Sequence, residues 1–185
     1  MISYDELNLK VKSMVKESRY EHILRVVDRA VEYARVYGLD IEKVRLTALA
    51  HDMAKNMDYE EYNDLFDEYE MINPSLKHAK VGAYLVRDLG FDSDMINAVS
   101  YHTTGRENMS MLEKVIYLAD ATESARTFGS QVVDLVKRDI DYAMVVISSF
   151  TLTKLLEDKK IIHIDSIKCY NYYNKLCNKK GVEYV

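Results

Sequence analysis

Six glycines and one proline in 185 residues leave this chain almost without the residues that punctuate a folded backbone. An all-β domain turns often, and its turns are built largely from those residues. The chain therefore reads as helical. The same scarcity excludes collagen-like, linker-like and low-complexity classes. At ~150 residues per domain the length gives roughly one compact unit. A chain this long buries about 70% of its unfolded surface, so it needs neither disulfide nor metal merely to fold.

Apolar residues recur at helical spacing in segments with readable ends. From about Arg19 to Tyr37 the stripe is Ile23, Val26, Val27, Ala30 and Ala34, stopping at Gly38. Asp40 caps a second helix, with Val44, Ala48, His51, Asp52 and Lys55 on one face. A short acidic helix is expected from Asp58, with Glu61 in the capping-box position. After the Asn73-Pro74 turn, His78, Gly82, Leu85 and Leu89 share a side of a helix ending at Gly90. Ser93 opens the next, with Met95, Val99 and His102 in line, and Thr103-Thr104-Gly105 breaks it.

Ser110 to Glu113 fits a capping box, followed by the face Leu112, Ile116, Ala119 and Asp120. A helix from Asp141 presents Val146, Ile147 and Phe150, and a tyrosine-rich helix from Asp165 frays toward Gly181. The expected architecture is all-α, with seven to nine helices in a single domain over residues 1–185. Its core spans about 19–160, and a C-terminal helix follows at 165–180.

The N-terminal MISYDELNLKVKSMVKESRY carries charges throughout, with no signal-peptide core, and no run approaches ~18 apolar residues. Cys169 and Cys177 form no C-x-x-C pair, and reduced thiols are expected. A cytoplasmic protein without a membrane partner is the expectation. The net charge of −5 disfavours nucleic-acid polymers, whose binding depends on neutralising phosphate with Lys and Arg.

Four of the five histidines lie near a helix end or on an apolar face: His22, His51, His78 and His102. Asp52 sits in the buried-looking stretch Leu49-Ala50-His51-Asp52, and Asp120 follows Ile116-Tyr117-Leu118-Ala119. Taken singly, an inward histidine is more often a hydrogen-bonded core residue. Asp120 alone suits a cap or a buried ion pair as well as a metal. Together they make a different case, because buried charges persist when paired or metal-bound. Imidazole with carboxylate suits Fe, Mn, Co, Zn or Ni. The set exceeds a tetrahedral structural zinc and points to an open site with two metals, or one metal and a wide outer shell.

His22, His51-Asp52 and Asp120 match the H…HD…D signature of the HD-domain metal-dependent phosphohydrolases. With LAHDMAK, HAKVGAYLV and YHTTGRENMSMLEKVIYLADATESAR, nearly the whole chain from about Arg19 resembles the YqeK-type HD family, the symmetrical diadenosine-tetraphosphate hydrolases of bacteria. The resemblance implies an HD fold, a divalent metal centre expected to be di-iron, and cleavage of diadenosine tetraphosphate into two ADP. His22, His51, Asp52 and Asp120 match the shared ligands, and His78 and His102 the histidines that complete a second metal position. Lys55 matches the lysine one turn after the HD pair. Ser124-Ala125-Arg126 departs from the Pro- or Gly-containing Glu-x-x-Arg stretch expected there, although Glu123 and Arg126 of that stretch are kept, so the departure bears only on the local loop geometry.

Asp52, Lys55, His78 and His102 are the candidate catalytic residues, with Asp52 read as a metal ligand rather than a proton acceptor. Lys55 is expected to hold a phosphate oxygen, although a solvated helix-end lysine fits equally well. Arg126 is placed on a distal phosphate, and Thr103, Thr104 and Gly105 on phosphate through hydroxyls and amides. Arg19 and Arg106 read as surface and exposed-loop residues, and His163 as a structural connector. The tyrosines after Cys169 read as core or oligomer interface before purine stacking. The acidic run from Glu60 to Glu70 reads as a solvated face. The ligand expected is a dinucleoside polyphosphate or nucleoside diphosphate, and a homodimer is compatible with the chain. The alternatives are another HD nucleotidase or phosphatase, a non-catalytic nucleotide-binding sensor, and a helical interaction module with buried histidines.

Overall fold

A computed structural model describes residues 2–126 and 130–179. Among these the chain forms ten α-helices and no strand. They are α1 (Tyr4–Met14), α2 (Glu17–Tyr37), α3 (Ile41–Ala50), α4 (Glu68–Ile72), α5 (Lys77–Arg87), α6 (Ser93–Tyr101), α7 (Met111–Thr122), α8 (Ser130–Arg138), α9 (Ile140–Glu157) and α10 (Ile164–Lys179), with 3-10 turns at Glu60–Leu65 and Pro74–Leu76. Only α4 is shorter than nine residues.

Side-chain caps set most of the boundaries. Asp40, Asp92 and Asp139 each accept backbone N–H bonds at the first turns of α3, α6 and α9. Ser110 and Glu113 close a reciprocal capping box on α7. Gly38 ends α2 in the left-handed region, φ 64°, where a side chain would be strained. Helix α2 packs on α3 and α7, α6 bridges α5 and α7, and α9 lies between α7 and α10. One contiguous core runs from Leu7 on α1 to Cys177 on α10. Helix α7 is its axis, buried from Leu112 to Ala119 with Glu113 and Lys114 included. Arg106 satisfies Glu113 through two bonds of 2.6 and 2.8 Å, so it is a buried acid's partner rather than an exposed loop cation.

Several elements differ from the sequence reading. The helix expected from Asp58 is a 3-10 turn with no buried residue, because a segment without an apolar face gains too little from packing to extend. The capping box falls later, at Asp67 and Glu70, opening α4. Glu70 is only 2% exposed and faces the His163 ring, so the acidic run is not solvated throughout. Helices α1 and α8 were not anticipated, although Ser3 and Glu6 form a capping box on α1. Helix α9 starts at Ile140, one residue before the expected Asp141. Phe150 leaves the α9 core stripe and stands 50% exposed, while Ile147 is buried. Both cysteines are free and buried, and Tyr173 lies in the core with its hydroxyl accepting from the Met109 N–H. The expected fraying toward Gly181 lies outside the described residues.

Candidate metal centre

The architecture brings helix ends to one place. His22 comes from an early turn of α2, His51 and His102 are the residues directly after α3 and α6, and His78 lies in the first turn of α5. Asp120 belongs to the last turn of α7. The last carbonyls of a helix have no intrahelical partner. Here two of them are used: His51 Nδ1 donates to the Ala48 carbonyl at 2.6 Å and His102 Nδ1 to the Val99 carbonyl at 2.7 Å. His78 Nδ1 likewise donates to the Ser75 carbonyl at 2.8 Å. A carbonyl only accepts, so each of these rings carries its proton on Nδ1 and turns an Nε2 lone pair inward.

His22 follows the same rule with a carboxylate. Its Nδ1 lies 3.3 Å from Glu123 Oε1, and Glu123 is fixed in turn by Arg25 Nε and the Ala125 N–H, each at 2.7 Å. His22 Nε2 faces Asp120 Oδ1 at 3.1 Å. Asp52 joins the two sides of the cluster. Its Oδ1 lies 3.0 Å from His78 Nε2 and 3.5 Å from His102 Nε2, and its Oδ2 lies 3.6 Å from His51 Nε2 and 3.8 Å from His22 Nε2. The Nε2 atoms of His78 and His102 are 3.1 Å apart.

Such a geometry sets acceptor against acceptor. His22 Nε2, His51 Nε2 and Asp52 Oδ1 are all buried without a hydrogen-bond partner. Buried polar atoms are seldom left so, and a shared cation satisfies all three. Two overlapping groups, His22–His51–Asp120 and His51–Asp52–His102, each hold their ligand atoms within 4.8 Å. The negative C-terminal ends of α3 and α6 also favour positive charge at this spot. The donor set fits a divalent metal of the borderline class.

Electrostatics agree with that reading. Burial pushes His51 down to about 4 despite the pull of Asp52, so its ring is neutral and its lone pair available. Burial likewise lowers His78. Burial would lower His102 too, but the nearby Asp52 carboxylate raises it. For Asp52, burial opposes ionisation, yet His51 and the neighbouring imidazoles hold the carboxyl well below the usual carboxylate range. Asp120 behaves alike, with His22 beside it and the nearby His51 and His102 outweighing desolvation.

Around the cluster stand four cations and one hydroxyl. Lys55 Nζ lies 3.2 and 3.3 Å from the two nitrogens of the His78 ring, and burial lowers its pKa against the attraction of Asp52. Arg126 Nη2 is 3.3 Å from Asp120 Oδ1, with a half-exposed side chain. Thr103 Oγ lies 3.1 Å from His102 Nε2. Gly105 sits at φ +65°, where an added Cβ would meet Cys169 Sγ at 2.6 Å. Thr104, beside it, is half-buried. Arg19 corrects the sequence reading, because its Nη1 donates to Asp52 Oδ2 at 2.9 Å rather than to solvent. Arg25 and the His22 bond of Glu123 were also missed. Arg19 and Arg25 lie three positions before and after His22 on α2, and that spacing was the available signal. His163 lies apart, near Asp67 and Glu70. Its Nδ1 accepts from the Asp165 N–H at 3.1 Å, its Nε2 is a fourth buried atom without a hydrogen-bond partner, and with Asp67 and Glu70 it forms a third group whose ligand atoms lie within 4.8 Å of one another.

Residues 19–125 match the HD domain, more than half of the chain. The chain therefore belongs to the HD-domain superfamily, whose metal-dependent phosphohydrolase chemistry requires a divalent metal. It is 38% identical over 171 residues to the symmetrical bis(5'-nucleosyl)-tetraphosphatase of Halalkalibacterium halodurans, covering 87% of this chain and 91% of that one. The protein of the same name from Bacillus subtilis is 37% identical over 172 residues, covering 88% and 92%. A crystal structure described as a predicted HD superfamily hydrolase involved in NAD metabolism, from Clostridium acetobutylicum, superposes with a TM-score of 0.88. It is 32% identical and covers 95% of this chain and 99% of its own. Within the superfamily, this chain is a member of the symmetrical bis(5'-nucleosyl)-tetraphosphatase family.

Proposed function

We propose that this protein hydrolyses diadenosine tetraphosphate at its central anhydride, giving two molecules of ADP. The observation that carries the reading is the convergence of four imidazole Nε2 atoms and two carboxylates, with three of those buried atoms lacking any other partner. His22, His51, Asp52 and Asp120 would hold one metal, and Asp52, His78 and His102 a second, with iron as the expected ion. When bound, the divalent metals supply positive charge opposite the phosphate oxygens and bring a water's pKa toward ~7.

The chain's own residues arrange the rest. Asp52 spans both halves of the cluster, and Arg19 holds its outer oxygen in place. Lys55 projects over His78, where a non-bridging phosphate oxygen would take one of its three N–H donors. Arg126, half exposed beside Asp120, offers its planar fork to the neighbouring phosphate, and the Thr103 hydroxyl adds a donor. Water attacks one inner phosphorus, the bond to the bridging oxygen breaks, and ADP departs as an anion that needs little protonation. Among the described residues no helix is long and apolar enough to cross a membrane.

The test is chromatography of products from diadenosine tetraphosphate with protein prepared anaerobically in Fe(II), Mn(II), Co(II), Ni(II) or Zn(II). Two ADP per substrate is the expected result. AMP plus ATP, or rapid hydrolysis of nucleoside monophosphates with the tetraphosphate untouched, transfers the chain to another HD nucleotidase or phosphatase. Tight nucleotide binding without turnover indicates a sensor, and absence of bound metal indicates a helical interaction module.

A further inference from the structure

Two clefts of contrasting chemistry open from the centre, and they share Arg126. The first, about 300 Å³, leaves His102 and Asp120 and runs between α7 and α9. Its inner wall is hydrocarbon, with Tyr117 and Ile147 buried, and Phe150 stands half exposed at the lip. Lys154 and Lys160 lie on the outer rim. The second, about 390 Å³, runs from His22 along α2 and is lined by Arg19, Arg25 and Arg126 around Glu123. Its described lining holds no Phe, Tyr or Trp ring and, beyond Ala125, no aliphatic residue.

A purine and its ribose need an apolar wall and a ring face, whereas a phosphate chain needs cations with spare N–H groups. Guanidinium carries five such groups. The bonds of Arg19 to Asp52, Arg25 to Glu123 and Arg126 to Asp120 leave several of them for a ligand. Each cleft therefore suits a different half of a long phosphate chain.

We infer that the site reads its two-fold symmetric substrate asymmetrically, seating one nucleoside in the α7–α9 cleft and grasping the other half by its phosphates alone. This inference rests on the function proposed above and extends its substrate class to nucleoside 5'-tetraphosphates, which carry a single nucleoside. In adenosine 5'-tetraphosphate, water adds to one of the two central phosphorus atoms and the bond between the β and γ phosphates breaks. The products are ADP and pyrophosphate, with one proton released.

The experiment compares kcat/KM of the metal-loaded enzyme for diadenosine tetraphosphate, adenosine 5'-tetraphosphate and inorganic tetraphosphate. Adenosine 5'-tetraphosphate is expected to give ADP and pyrophosphate within about tenfold of the dinucleotide, because both present the same bound half. Inorganic tetraphosphate should fall at least roughly tenfold lower for want of a stacked base. Phe150→Ala should raise KM for both nucleoside substrates by roughly tenfold to a hundredfold, the range of base–aromatic stacking, and Phe150→Tyr should preserve the wild-type value. An unchanged melting temperature of Phe150→Ala separates loss of the ring from loss of fold. Two outcomes overturn the inference while the proposed function stands: adenosine 5'-tetraphosphate left intact as the dinucleotide is cleaved to ADP, or an unchanged KM in Phe150→Ala. Failure of the dinucleotide itself to yield ADP removes the underlying function and this inference with it.

Discussion

Glu123 shows how much a single outer residue contributes to the centre. It touches no other ligand than His22, yet it orients that ring and is itself locked by Arg25. Outer partners of metal-bound histidine typically contribute about 10–100-fold in metal affinity or activity. Glu123→Gln, which keeps the shape but loses the charge, is expected to weaken metal binding by roughly that factor in calorimetric titration. Unchanged affinity would show that His22 needs no orienting partner. Asp120→Ala removes a proposed ligand outright, and turnover should disappear with it; full activity in that variant would remove Asp120 from the centre. The histidines and aspartates were legible in the sequence because their chemistry is unusual in apolar stripes. Glu123, Arg25 and Arg19 were not, because their roles depend on distances between α2 and segments 33 to 101 positions away.

At the scale of elements, the contact of Gly105 with α10 is the most exposed to test. A Cβ there would meet Cys169 Sγ at 2.6 Å, and φ +65° is unfavourable for any side chain. Gly105→Ala should cost about 1–3 kcal/mol, a fall of several degrees in melting temperature, whereas an unchanged melt would show that α10 yields freely. Burial on the same helix pushes the Cys169 thiol up to about 12. It should therefore resist maleimide at pH 8 until the protein unfolds, and prompt labelling of the native state would contradict its burial. The sign follows: a raised thiol value favours folding less as pH rises past the unfolded thiol's ~8.5. The stripes and caps of α2, α3, α5, α6, α7 and α9 were readable in advance, whereas α1 and α8 were missed. Helix α4 was not readable either, since a contact such as Glu70 with His163 fixes it rather than a stripe of its own, while the Asn73-Pro74 turn was read and lies at the start of the 3-10 turn Pro74–Leu76.

For the whole molecule, five helices meet at one cluster of lone pairs, so a metal held there would link folding to catalysis. An ion bound only by the native state at a hundred times its Kd stabilises by ~2.7 kcal/mol. Removing metal with a chelator should lower the melting temperature by several degrees, and re-addition should restore it. An unchanged melt would place the metal, if any, outside the core. Asp52 and Asp120 are both held below the usual carboxylate range, so the stability they contribute is present above ~pH 4 and lost as pH falls through their folded values. Metal-free protein should accordingly weaken in melts taken below ~pH 4, and constant stability there would contradict the assignment. The all-α architecture followed from the lack of punctuation. The meeting of helix ends did not, because it is a property of packing between distant segments.

Anomalous diffraction from crystals of anaerobically prepared, active protein, recorded on both sides of the bound metal's absorption edge, tests the account most directly. One or two peaks are predicted about 2.0–2.3 Å from the Nε2 atoms of His22, His51, His78 and His102. Activity without any peak among those rings, or a peak only beside Asp67, Glu70 and His163, would contradict it.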